Sequence, residues 1–227
     1  MNCDGIAPFY VWLERAAFGR RLERHRLMYL ERAAGARRAL VLGDGDGRFV
    51  AELAEKFPGL GIDCVELSAR MVALAKRRLG QQGQRVCMVQ GDVFTVPLPC
   101  PGLGGGRAAF SQAEAPAPPC CYDIVYSHFF LDCFTEEQNA GLAERIASVS
   151  GPGTWWVISD FRQAASGWRK IFTSVWIKAM YLFFRMATQL TQQQLPDYRR
   201  ALREQGFQLV EERRSMAGLI VSECWQR

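Results

Sequence analysis

Apolar and polar positions alternate along this chain in a strand-then-helix rhythm. Ala39 to Leu42 is an unbroken apolar run. After a glycine-rich break, Phe49, Val50, Leu53, Ala54 and Phe57 recur at helical spacing. The rhythm then repeats. Gly61 to Glu66 reads as a strand, Ala69 to Leu79 as a helix and Arg85 to Gln90 as a third strand. Tyr122 to Ser127 and Thr154 to Ser159 read as strands on either side of a helix from Glu136 to Val149. The chain ends on a helix, Pro196 to Gln205, and two strands with a short connection, Phe207 to Arg213 and Leu219 to Trp225. Ahead of the first strand, residues 6–33 carry the spacing of one or two amphipathic helices (Phe9, Leu13, Ala16 and Ala17, then Leu22, Leu27 and Leu30). Strands alternating with helices predict an α/β fold, a doubly wound and mostly parallel seven-stranded sheet whose last two strands pair antiparallel.

Two segments interrupt that rhythm. Residues 97–120 are rich in Pro, Gly and Ala and have neither period, which predicts a flexible surface insertion where a crossover helix would otherwise lie. Residues 162–195 are apolar on several sides, through Trp168, Ile171, Phe172, Val175, Trp176, Met180, Tyr181, Phe183, Phe184 and Met186. Two readings suit them, a fully buried helix or a helical lid whose aromatic face lines a ligand pocket. Lys178 and Arg185 break the run, so stable membrane insertion is not expected.

Length and composition narrow the picture. The chain has 227 residues, 49% of them apolar, which suits one α/β domain with a modest appendage. We divide it into an N-terminal helical cap, 1–35, and a main domain, 36–227. The net charge of +5 is mild. The basic residues gather in the N-terminal helix (Arg15, Arg20, Arg21, Arg24, Arg26, Arg32) and near the C-terminus (Arg199, Arg200, Arg203, Arg213, Arg214). Without interleaved aromatic residues they read as solvated helix faces, and nucleic acid is not an expected partner. None of the eight cysteines forms a C-x-x-C pair, so neither a metal framework nor a disulfide scaffold is expected. Reduced thiols and the absence of an apolar N-terminal signal point to the cytoplasm.

The chemistry concentrates in Gly43-Asp44-Gly45-Asp46-Gly47, between the first strand and its helix. Glycines there permit positive φ or close approach of backbone to a ligand. A dinucleotide loop offers bare N–H groups to a diphosphate, and Asp44 and Asp46 would repel one. The G-x-G-x-x-G fingerprint also fails, because Arg48 or Val50 stands where its last glycine belongs. The two carboxylates suit a cationic ligand instead.

With this acidic glycine loop, the chain resembles the Rossmann-like (class I) S-adenosylmethionine-dependent methyltransferases over roughly residues 36–227. The resemblance implies that S-adenosylmethionine is the cosubstrate and S-adenosylhomocysteine the product. It implies that Gly43, Asp44, Gly45 and Gly47 hold the cosubstrate, and that Glu66, with Leu67 beside it, receives the ribose hydroxyls. An acid at that strand end is also what a nicotinamide enzyme would use. Gln90-Gly91-Asp92-Val93 looks like the family's adenine motif, with the Asp92 carboxylate on the exocyclic amine and the Val93 N–H facing the ring. Ser127 and His128 follow the fourth strand, at the edge beside the sulfonium in the family. Tyr10 is a further cosubstrate candidate, on an N-terminal helix folded over the site.

Methyl transfer is an in-line displacement at an already activated carbon, so alignment and exclusion of water carry most of it. A base is needed only for a protonated acceptor. His128 is the candidate by residue type, with Asp132 and Asp160 as groups that orient it or bind a cationic acceptor. The aromatic 162–195 segment favours a small, apolar or aromatic acceptor. The fourth strand is not followed by an N-P-P-Y-type motif, which argues against nucleobase or glutamine methylation by that route. Two other readings share the acidic loop, an aminopropyltransferase using decarboxylated S-adenosylmethionine and a non-catalytic S-adenosylmethionine-binding partner protein.

Overall fold

A computed structural model describes residues 18–98, 122–164, 166–187 and 195–227, with backbone alone for 178–187. Tyr10, most of the expected 97–120 insertion and the first half of the N-terminal helical pattern lie outside the described residues. Within them, helix α1 (Arg21–Leu27) and a 3-10 turn (Leu30–Ala33) precede strand β1 (Arg38–Leu42). Helix α2 (Arg48–Lys56), β2 (Gly61–Glu66), α3 (Ala69–Leu79) and β3 (Val86–Gln90) complete one wing. The other wing holds β4 (Tyr122–His128), α4 (Glu136–Ser148) and β5 (Ser150–Phe161). Helix α5 (Gly167–Ala187), helix α6 (Tyr198–Glu204), β6 (Gln208–Ser215) and β7 (Ile220–Gln226) follow.

The sheet has seven strands in the order β3-β2-β1-β4-β5-β7-β6. β1 pairs in parallel with both β2 and β4, whereas β7 runs antiparallel to β5 and β6. The chain therefore reverses its direction of winding between β1 and β4. In open α/β sheets the crevice at the carboxyl ends of such strands is where ligands bind.

Strand alternation explains the two cores. Leu40, Leu42, Val125, Trp156, Ile158 and Trp225 bury on one face, against Leu142 and Ile146 of α4 and Leu202 of α6. Val41, Ile62, Cys64, Tyr126 and Cys224 bury on the other, against Phe49, Val50 and Leu53 of α2. The helix starts are set locally. Thr135 and Gln138 make a reciprocal capping box at α4, and the Ser68 hydroxyl accepts from the Met71 N–H at α3.

Two expectations change. The N-terminal helix breaks at Met28–Tyr29 into α1 and a 3-10 turn. The fully buried reading of the 162–195 helix fails, because Trp168, Ile171 and Val175 are exposed to solvent. Among the described side chains of α5, Phe172 packs between Trp168 and Trp176, and Trp176 packs against Phe18.

Candidate functional site

The glycine turn is built by backbone geometry. Gly43, Gly45 and Gly47 all take positive φ, at 65°, 65° and 77°. Each removes a Cβ for a different reason. A Cβ at Gly43 would strike the Phe130 ring and one at Gly47 would strike Ala75, whereas at Gly45 it would meet nothing within 4 Å. The turn thus packs at both ends and stays open at its middle.

Asp44 folds back to cap α2. Its carboxylate accepts the Val50 N–H at 2.9 Å and the Phe49 N–H at 3.3 Å. Burial pushes the Asp44 carboxyl up to about 7 despite those bonds and the nearby Arg26 charge. Glu66 closes the turn from the next strand. It accepts from the Gly45 N–H at 3.1 Å and from the Ser68 N–H at 2.9 Å, and burial raises its pKa. Leu67 beside it is 40% exposed, an apolar surface at the carboxyl edge. Across from these, Asp92 is exposed and accepts the Phe94 N–H at 2.9 Å, while the Val93 side chain is buried in the core.

The Asp46 charge is met within the fold. It is ion-paired with Arg48 and Arg78, at 3.0 and 2.8 Å. Those two arginines also line a cavity of about 630 Å³ with Arg26, Glu52 and Glu55, on the flank of α2 and lined by none of the three glycines.

The end of β4 brings the remaining candidates. Ser127 is fully buried, and its hydroxyl accepts from the Trp156 indole N–H at 3.0 Å. His128 is 7% exposed, and neither ring nitrogen has a hydrogen-bond partner among the described residues. It stands edge-on to Phe49, with ring centroids 4.5 Å apart. Burial first and the Arg26 charge second hold its pKa down at about 3, so the imidazole is neutral. A buried polar group with no partner is costly in a finished core and ordinary where a ligand completes it.

Asp132 and Asp160 form a pair of their own. Asp160 is fully buried, accepts the N–H of Asp132 at 3.1 Å and that of Phe161 at 2.8 Å, and shares a side-chain bond with Asp132. Burial raises both, Asp160 further because Asp132 faces it. The expectation that they orient His128 does not hold. His128 is in register with Ser159, and alternation turns Asp160, the next residue, to the opposite face of the sheet. Both acids are thereby committed to one another.

Sequence reasoning missed the aromatic residues beside the turn. Phe130 packs edge-on to Phe134 at 4.9 Å, and Phe134 on Phe94 at 5.0 Å, joining the ends of β1, β3 and β4. Phe129 takes a positive φ of 54°, unusual for a bulky side chain, with the Arg26 guanidinium over its ring at 5.1 Å. The run His128-Phe129-Phe130 was the available signal, but it did not reveal which ring would reach Gly43.

Comparison with known proteins agrees with this geometry. Residues 39–102 match the family model described as a methyltransferase domain. Among curated proteins none matches the chain. A putative O-methyltransferase from Nostoc punctiforme superposes with a TM-score of 0.67 at 16% identity, over 97% of this chain and 60% of that one. Human N-acetylserotonin methyltransferase in complex with S-adenosylmethionine gives 0.61 at 16% identity, over 99% and 59%. An O-methyltransferase family 2 protein from Planctomyces limnophilus, in complex with apigenin, gives 0.59 at 16% identity, over 84% and 49%. The chain spans between about half and three fifths of the length of these structures. The fold is that of the Rossmann-like (class I) S-adenosylmethionine-dependent methyltransferases, to which these structures are similar. The stretch that matches the methyltransferase-domain model, residues 39–102, contains the glycine turn and Glu66.

Proposed function

We propose that this protein transfers a methyl group from S-adenosylmethionine to a small, apolar or aromatic acceptor. The observation that carries the reading is the closure of the left-handed glycine turn by Glu66 through the Gly45 N–H, at the crevice where the sheet changes direction. An acidic edge of this kind suits a ligand that carries an ammonium and a sulfonium. S-adenosylmethionine would supply a methyl group already activated by its sulfonium. Gly43, Asp44, Gly45 and Gly47 would hold its amino-acid end, Glu66 and Leu67 its ribose, and Asp92 and the Val93 N–H its adenine.

His128 is the candidate base in this reading. At a pKa of about 3 it stays neutral at working pH and is a weak base. A weak base is sufficient when a hydroxyl becomes strongly acidic as it gains the methyl group. Phe129 and Phe130 supply apolar surface at the same edge and exclude water. The bound apigenin of the Planctomyces relative supports a flat aromatic acceptor.

Thermal unfolding with ligands tests the reading. S-adenosylhomocysteine should raise the melting temperature, by about 2.7 kcal/mol of stabilisation at a hundredfold excess over Kd, while NADH at equal concentration should not. Glu66→Ala should weaken that binding by about 1–3 kcal/mol. Labelled S-adenosylmethionine with a panel of flavonoid-like and other phenolic acceptors then separates an enzyme from a protein that only binds. A preference for NADH would overturn the assignment.

A further inference from the structure

We propose that α5 is an interfacial helix that seats the protein on an anionic lipid surface. Trp168, Ile171 and Val175 are 67%, 70% and 62% exposed, although each is apolar. At about 100° per residue they fall within an arc of about 60°, and Ile177 lies about 180° away from Trp168. Ile177 is buried with Phe18, Phe161 and Leu219, so the exposed stripe points away from the fold. The same spacing brings Ala179, Leu182 and Met186 into register with the stripe along the rest of the helix.

Charge chooses the occupant. Between Asp160 and Asp197 there is no Asp or Glu, but there are Arg162, Arg169, Lys170, Lys178 and Arg185. Arg169 occupies a register position on one side of the stripe, and Lys178 and Arg185 on the other. A second copy of a chain with net charge +5 would bring like charges together along this face, whereas acidic headgroups would neutralise them. No helix among the described residues is long and apolar enough to cross a membrane. A helix with an apolar stripe, an exposed Trp and flanking basic residues lies instead in the headgroup plane. The inference does not rest on methyl transfer, and its test reads neither cosubstrate nor acceptor.

Vesicle flotation of the full chain decides it, with phosphatidylcholine alone compared with an equal mixture of phosphatidylcholine and phosphatidylglycerol. Binding to the anionic vesicles should exceed binding to the neutral ones by about tenfold or more and should weaken in high salt. The double variant Ile171→Glu, Val175→Glu changes exposed positions only, so it should keep its circular dichroism and melting temperature yet bind like the neutral control. Trp168→Ser, which removes apolar area without adding charge, should lower binding several-fold. Absence of a preference for anionic vesicles, or unchanged binding by these variants, would overturn the proposal. A dimer in sedimentation that the double variant dissolves would overturn it too, by assigning the stripe to a second copy.

Discussion

The Phe130 ring lies so close to Gly43 that a Cβ on Gly43 would stand 2.2 Å from its Cδ2. These residues follow β1 and β4, the neighbouring strands between which the sheet reverses its winding. The first glycine of the turn is therefore a packing partner of the segment after His128 as well as a backbone pivot.

Gly43→Ala should cost stability twice, through the positive φ and through the ring. We expect about 1–3 kcal/mol from the backbone alone, read by urea titration, together with loss of S-adenosylhomocysteine binding. Phe130→Ala in the same chain should restore the steric share and leave the backbone share. A double-mutant cycle showing no coupling between the two positions would refute the contact.

His128→Ala should lower kcat by about 10²–10⁴-fold and leave S-adenosylhomocysteine affinity nearly unchanged, if the imidazole takes the acceptor proton. Its pKa of about 3 places the acid limb of kcat/KM low. Activity governed by His128 should hold as pH falls to about 5 and drop only as the histidine protonates below that. A parallel loss of cosubstrate affinity and kcat would make it a binding group.

His25 offers a pH test of the fold. Its ring nitrogens sit 2.7 Å from the hydroxyls of Ser222 and Ser215, tying α1 to the terminal strands. Burial, then the Arg24 charge, lower its pKa from 6.5 to about 4. Between those values the unfolded chain binds a proton that the folded one refuses. The stability is thus present above about pH 6.5 and is lost as pH falls towards 4, on the order of 3 kcal/mol in all. Asp44, raised to about 7, works in the opposite sense over pH 7 to 4, so the comparison must be with a variant. The stability gap between wild type and His25→Gln should shrink from pH 7 to pH 4.5.

Arg199 is a sharper test of packing. Its Nε donates to the fully buried Glu223 at 2.8 Å, its Nη2 reaches both Glu223 and Glu212, and the Trp225 indole donates to Glu223 at 2.8 Å. Arg199→Leu removes the nearest cation from a buried carboxylate, which keeps only the Trp225 indole and Arg162 at 3.8 Å, and should cost up to about 3 kcal/mol. Arg199→Leu with Glu223→Gln should recover a large part of that. Equal denaturation midpoints for the two variants would show that Arg162 or water compensates the carboxylate instead.

Local pattern carried most of the fold. Gly61–Glu66 and Ala69–Leu79 occur where periodicity placed them, because a period of 2 or 3.6 with glycine and serine boundaries is written in neighbouring residues. Thr154 to Ser159 was too short a reading, since β5 runs Ser150–Phe161 through Gly151 and Gly153, which carry no strand signal. Arg199 read as part of a solvated face because its partner Glu223 is 24 residues away, and only the packing of α6 on the sheet brings them together.

The sequence by itself determined the acidic glycine turn, the acid one strand later and the order of strands and helices, all encoded within single elements. Only the tertiary structure decided which carboxylates remain near the turn. Asp46 is taken by Arg78 from α3, Asp44 caps α2, and Asp160 turns away from His128 to meet Asp132. The physical reason is that a buried charge must find a partner or a proton, and that partner is set by which faces the folded sheet brings together.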